Sequence, residues 1–422
     1  MATTEPVSGA FDLAEEQAVR AEALAEASRA WFRGAGYGPV KPPILERAAP
    51  FLDRLGEEIR SRMYIFTDPG GHEVCLRPEM TIPTARLYAD SIHGRDEVFR
   101  CYYVGSVFRF DWPREGRYRQ FTQAGAEHFG DEDRAAADAE ILALAHGLLR
   151  SYGLDGLRVE VGDVSFFGAL LGDERLSPGW RVRLTRAAPD WAALERELAA
   201  SREAAAGTGA DGAAGDGVAG ADGGDEVVAL LDRTPAAQRD ALLGRILTAA
   251  GPEHVGVRTP EEIARRLLSR AEARGPIEPA IAEALAGVLA VDAPLAEGLA
   301  QIRTIAERAA SPALAAVADD WDRRAELLAE RGLDPAAVRL RPRMGRGIHY
   351  YTGFVFEIHD GTDSTESQLC GGGRYDDLVE SVGGTAPVPA VGFSLGLERV
   401  QLQLHGSVVG DESGAAGEEE ET

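Results

Sequence analysis

The stretch Val98–Gly130, VFRCYYVGSVFRFDWPREGRYRQFTQAGAEHFG, limits what this chain can fold into more than any other segment. Its first half alternates. Phe99, Cys101, Tyr103 and Gly105 fall on one side and Val98, Arg100, Tyr102 and Val104 on the other, the pattern of a half-buried strand. Asp111–Gly116 then supplies the Pro and Gly of a turn, and Tyr118, Gln120, Thr122 and the run Gln123–Glu127 return as a second extended segment. The spacing predicts a long hairpin and therefore an antiparallel sheet. Four arginines, Arg109, Arg114, Arg117 and Arg119, crowd its arms and loop. A planar guanidinium is suited to a two-pronged grip on phosphate or carboxylate. The plain alternative is a solvated loop with scattered ion pairs.

Further strand signals lie on both sides of a helical middle. Gly38–Glu46 carries three prolines and must be extended, and prolines there imply an edge or interface position. Arg62–Arg77 reads as a hairpin turning at Asp68-Pro69-Gly70-Gly71, and Leu157, Val159 and Val161 alternate as another strand. Strand chemistry returns in 350–359, 370–376 and 388–394, and 395–404 closes as a helix. Helical periodicity marks 14–34, 78–89 and 131–152, the last with Ile141, Leu142, Leu144, Ala145, Leu148 and Leu149 on one face. These patterns predict an α+β fold, an antiparallel sheet flanked by helices and interrupted by a helical insertion. The expected divisions are a disordered N-terminus (1–12), a first core part (13–172), a helical insertion (173–338) holding a disordered linker (201–226), a second core part (339–405) and a disordered acidic tail (406–422).

Charge sharpens the functional reading. The chain of 422 residues has a formal net charge of −25, and −11 of it falls in 201–226 and 406–422. What remains is still acidic, which argues against a general nucleic-acid binder. Cys75, Cys101 and Cys370 lie far apart with no CxxC pair, as in a reducing compartment, and no metal site is expected. With no long apolar run and no signal-like N-terminus, a cytoplasmic location is expected.

Five motifs occur in order: Leu76-Arg77-Pro78-Glu79-Met80-Thr81, the FRF…GRYRQFTQAGAEHFG hairpin, Arg346-Gly347-Ile348-His349-Tyr350-Tyr351, Cys370-Gly371-Gly372-Gly373-Arg374-Tyr375-Asp376 and Gly396-Leu397-Glu398-Arg399. Together they resemble the catalytic core of histidyl-tRNA synthetase, a class II synthetase fold. Within that family the chain looks like the regulatory-subunit branch of ATP phosphoribosyltransferase. It ends soon after Gly396–Val400, so no anticodon-binding domain is expected, and His349 stands where the synthetase motif has an acidic residue.

The resemblance implies a non-catalytic regulatory subunit for the first step of histidine biosynthesis, with histidine feedback sensing. It implies a hetero-oligomer with the short catalytic subunit, a homodimer through the strand near Pro43, and no role for tRNA or membrane. The histidine-binding set it implies is Glu79, Thr81, Arg109, Gln123, Glu127, Arg346, Tyr350 and Tyr351. Glu79, Thr81 and Gln123 would hold the ammonium, Arg109 a carboxylate or phosphate, and Glu127 and Tyr350 the imidazole. No catalytic residue and no required cofactor are expected. The alternative is a histidine-activating, ATP-dependent ligase, for which Arg346 would promote attack on ATP, Arg109, Arg117 and Arg399 would bind nucleotide, and ATP with Mg would be needed. Structural readings stand beside these: Glu79 as a first-turn helix carboxylate, Gly371–Gly373 as a bulge, His349 as a pocket-wall residue, and Tyr351 as core.

Overall fold

The structure, a computed structural model, describes residues 6–55, 57–91, 98–112, 118–188, 191–205, 276–344, 350–362, 367–406 and 408. The hairpin is its centre. β5 (Phe99–Phe108) and β6 (Gln120–Phe129) pair antiparallel from Phe99↔Phe129 to Phe108↔Gln120. β12 (Ala390–Gly396) lies against β6, followed by β11 (Gln368–Arg374), β10 (Phe354–His359) and β7 (Arg158–Asp163). Parallel pairs bring in β1 (Gly38–Pro39) beside β5 and β9 (Val338–Leu340) beside β7, and β8 (Ala293–Pro294) ends the sheet, giving nine strands among the described residues. A separate three-stranded sheet has β4 (Glu73–Leu76) between β2 (Leu45–Arg47) and β3 (Tyr64–Thr67).

The expectation of a half-buried hairpin is corrected, because both faces of β5 are covered. On one face Tyr102 stacks on Phe32 of α1 (Glu15–Gly34), with ring centroids 5.3 Å apart. Arg100 on that face donates through Nε to Glu140 of α5 (Arg134–Ser151) at 2.8 Å. α5 starts where Asp133 accepts the Ala136 N–H, an N-cap that supplies one of the donors a helix start leaves open. On the other face Cys101, Phe129 and Ala390 join a core with Cys75, Ile82, Tyr88 and Tyr375. These come from the small sheet, from α4 (Thr81–Ser91) and from the strands themselves.

The chain divides into two compact units: Met1–Ser165, Asp292–Ala300 and Ala318–Thr422 in one, Phe166–Val291 and Gln301–Val317 in the other. The second unit is therefore smaller than the insertion expected over 173–338. Residues 318–338 belong with the sheet because buried polar bonds hold them: Trp321 donates its indole N–H to Asp163 at 3.0 Å, and Arg324 donates to Asp138 at 2.8 Å. The second unit has its own helical core, in which Trp180, Leu184, Leu194, Ile281, Leu285 and Val288 are buried. The linker expected at 201–226 lies outside the described residues beyond 205. Two terminal expectations change. Gly9 and Phe11 meet the hairpin, and Val408, placed in a solvated tail, is buried.

Candidate functional site

Register places an unusual set of residues on one face of the large sheet. Directly opposed residues share a face, so Glu127 and Gly392, Gln123 and Gly396, Gly125 and Ser394, and Gly105 and Gln123 all point the same way. Gly371 and Gly373 of β11 and Gly162 of β7 continue the series through Ser394, Gly392 and Val355. A floor with so few side chains leaves room above it. The room is a cavity of about 540 Å³ lined by residues from Leu55 to Arg399. Gly371–Gly373 is regular strand, with no bulge at those positions; the ladder's one shift falls at Ile358/His359.

The glycines also seat aromatic rings. A Cβ on Gly125 would meet the Tyr103 ring at 2.7 Å, and one on Gly373 the Tyr351 ring at 2.8 Å. A Cβ on Gly392 would fall 1.5 Å from Glu127 Oε2. Tyr351 is thus both packed and cavity-lining.

Of the expected histidine set, Glu79, Thr81, Arg109, Gln123, Tyr350 and Tyr351 line the cavity. Glu79 accepts the N–H groups of Thr81 and Ile82, each at 2.7 Å, so the helix-start reading holds alongside the ligand reading. Burial pushes its carboxyl up, opposed by those N–H bonds and by Arg109. Gln123 is fixed at both ends: its Oε1 accepts from Met80 N and its Nε2 donates to Ser394 Oγ, both at 2.9 Å. Arg109 donates Nε to Pro78 O at 2.7 Å and lies over the Phe121 ring at 5.4 Å; burial lowers its guanidinium to about 10.

Glu127 sits behind the cavity wall. It is fully buried, and its oxygens accept from the hydroxyls of Tyr103 (2.9 Å) and Tyr375, of which Tyr375 lines the cavity. Burial, only partly offset by these hydroxyls, pushes its carboxyl up to about 8. Arg399 lines the cavity and donates to Gln368 O at 2.9 Å. Beside it Glu398 takes the Thr122 N–H on both oxygens, and burial pushes its carboxyl up to about 7.

Arg346, His349, Arg114 and Arg117 lie outside the described residues. The basic cluster expected in the hairpin is divided. Arg109 faces the cavity, while Arg119 serves the fold, donating Nε to Asp111 O at 3.0 Å with its guanidinium 4.3 Å over Phe110. Arg374 of the glycine-rich motif points away from the cavity, to Asp138 of α5.

Sequence reasoning missed Tyr103, Tyr375 and Ser394. Tyr103 shares its alternation with Cys101, but only the register shows that this side is the cavity side. Sequence also missed the far end, where Glu160, Glu357 and His359 bring ligand-type atoms within 4.8 Å of one another. Arg341 donates to Glu160 at 2.8 Å and Arg158 lies 3.0 Å from it, so its charge is already matched and an ion-pair network accounts for the group.

Nine strands with two cross-over edges, a helix-covered far face and a cavity above the glycine floor define a class II synthetase-type fold. Solved structures share it: an ATP phosphoribosyltransferase regulatory subunit/histidyl-tRNA synthetase from Bacillus halodurans C superposes with a TM-score of 0.65 at 20% identity, covering 96% of this chain and 84% of that one. The histidyl-tRNA synthetase of Nostoc sp. PCC 7120 gives 0.59 at 15% identity, over 97% and 77%. The histidyl-tRNA synthetase family model matches residues 9–237 and 259–400. The ATP phosphoribosyltransferase regulatory subunit of Rhizobium meliloti (strain 1021) is 38% identical, covering 86% of this chain and 92% of its own. That of Sinorhizobium medicae (strain WSM419) is 37% identical over the same shares. The chain belongs to this family of ATP phosphoribosyltransferase regulatory subunits.

Proposed function

We propose that this chain is the non-catalytic regulatory subunit of ATP phosphoribosyltransferase, acting in the first step of histidine biosynthesis through a complex with the catalytic subunit. Similarity to regulatory subunits over 86% of the chain carries that reading. Histidine is the ligand we assign to the cavity. Glu79 supplies a buried carboxylate for an ammonium, Arg109 a cation for a carboxylate, and Tyr350 and the Glu127–Tyr375 pair polar partners for an imidazole. The complex is a hetero-oligomer in the cytoplasm. Its regulatory chains pair through the segment at Pro43, where Ile44 and Leu45 are 46% and 48% exposed. No helix among the described residues is long and apolar enough to cross a membrane.

Reconstitution with a short catalytic subunit tests this. The expected result is a complex whose rate needs this chain and falls with added histidine. Absence of a complex, or a rate indifferent to histidine, overturns it.

A cavity of about 540 Å³ flanked by Arg109 and Arg399 also supports a second reading, retention of ATP with Mg and a histidine-activating activity. Arg117 and Arg346 would complete that set. Histidine-dependent ATP–pyrophosphate exchange decides it: none with the intact chain excludes activation.

A further inference from the structure

The hairpin reaches beyond its neighbour. β12 pairs with β6 only as far as Gly396↔Gln123, yet the arm continues to Arg119, whose carbonyl closes the ladder with the Arg109 N–H at 3.0 Å. Two groups from outside the hairpin take N–H donors of this overhang. Glu398 takes that of Thr122, and the carbonyl of Gly9 takes that of Arg119 at 2.7 Å. Gly9 belongs to a turn closed by the Ala10 N–H on Val7 O at 2.8 Å, and it sits at φ +80°, where glycine is favoured. Two residues on, the Phe11 ring meets the Tyr118 ring edge-on at 4.8 Å. Tyr118 lines the cavity. Arg119 in turn reaches across to Asp111 and Phe110, and Asp111 pairs with Arg62 at 2.9 Å, both of them cavity-lining.

We propose that the N-terminal turn Val7–Phe11 is a latch that holds the overhanging arm, and with it the Tyr118–Asp111–Arg62 wall, in the ligand-holding position. A ligand that needs this wall binds a protein whose competent fraction the latch sets, so releasing the latch weakens affinity in proportion to the fraction lost. The proposal rests on the histidine reading for its ligand but not for its structure.

Phe11→Ala and, separately, Gly9→Ala in the full chain test it, with two readouts. Amide hydrogen exchange is followed at Arg119, with Thr122 as internal control, and L-histidine binding is followed by calorimetry. The expected result is exchange at Arg119 faster by about tenfold with Thr122 unchanged, and a histidine Kd higher by about fivefold. Exchange at Arg119 no faster than in the parent chain in either variant overturns the latch, as does faster exchange with an unchanged Kd. If the parent chain binds no histidine, the ligand reading fails, and the Arg119 exchange alone decides whether the turn holds the arm.

Discussion

Two buried glutamates on the same face of the sheet, Glu127 on β6 and Glu160 on β7, have opposite surroundings. They stand four strand spacings apart, roughly 19 Å, and are 0% and 3% exposed. Glu160 has Arg341 and Arg158 beside it. Among the described residues, the Glu127 carboxyl is bonded by the hydroxyls of Tyr103 and Tyr375. A buried carboxylate with matched charge is finished as a structural element, whereas one held by neutral donors keeps its proton and retains capacity to respond to an incoming cation or N–H donor. The difference supports the ligand assignment proposed for the Glu127 end.

The largest expected effect is the pH dependence of stability at the Glu127 end. Its folded value of about 8 lies above its ordinary 4.5, so its contribution is complete below pH 4.5 and is lost as pH rises through 8. The stability difference between wild type and Glu127→Gln should move by about 4 kcal/mol over that window, in favour of the variant at high pH. Urea unfolding at several pH values measures it, and a flat difference would erase the contrast between the two glutamates. Next, Glu160→Gln leaves Arg341 and Arg158 facing each other. Since both are about a third exposed, solvent relieves part of the loss, and about 2–3 kcal/mol of destabilisation, measured by urea unfolding, is expected. Gly392→Ala forces the Glu127 carboxyl from its place, destabilising by about 2 kcal/mol and weakening histidine binding in calorimetry. Smallest is His359→Gln, whose ring bonds Ser367 and Glu357 at a partly open edge; a melting shift matching less than about 1 kcal/mol is expected.

Much of this fold was legible in the chain. Alternation and turn residues located the Arg62–Arg77 and Val98–Gly130 hairpins, and helical stripes located α1 and α5, because these signals are local. What failed was what lies far apart in sequence. Arg100 looked like a solvent-side residue of a half-buried strand, but Glu140 covers it. Trp321 looked like part of an insertion, but Asp163 fixes it to the sheet unit. The motifs brought six of the expected histidine-binding residues to the cavity, yet the Tyr375–Glu127 bond joins positions 248 apart, and no spacing rule foretells such a contact.

The glycine floor carries a last consequence. A sheet normally gains stability from the side chains on its inner face, and this one takes them from elsewhere: the Tyr103 ring lies over Gly125, the Tyr351 ring over Gly373, Glu127 over Gly392 and Arg77 over Gly105. The ligand proposed for the cavity would therefore rest on borrowed side chains, each of them seated where no Cβ stands beneath it. On the proposal that histidine binds there, its concentration acts as a variable of folding and raises the melting temperature by mass action.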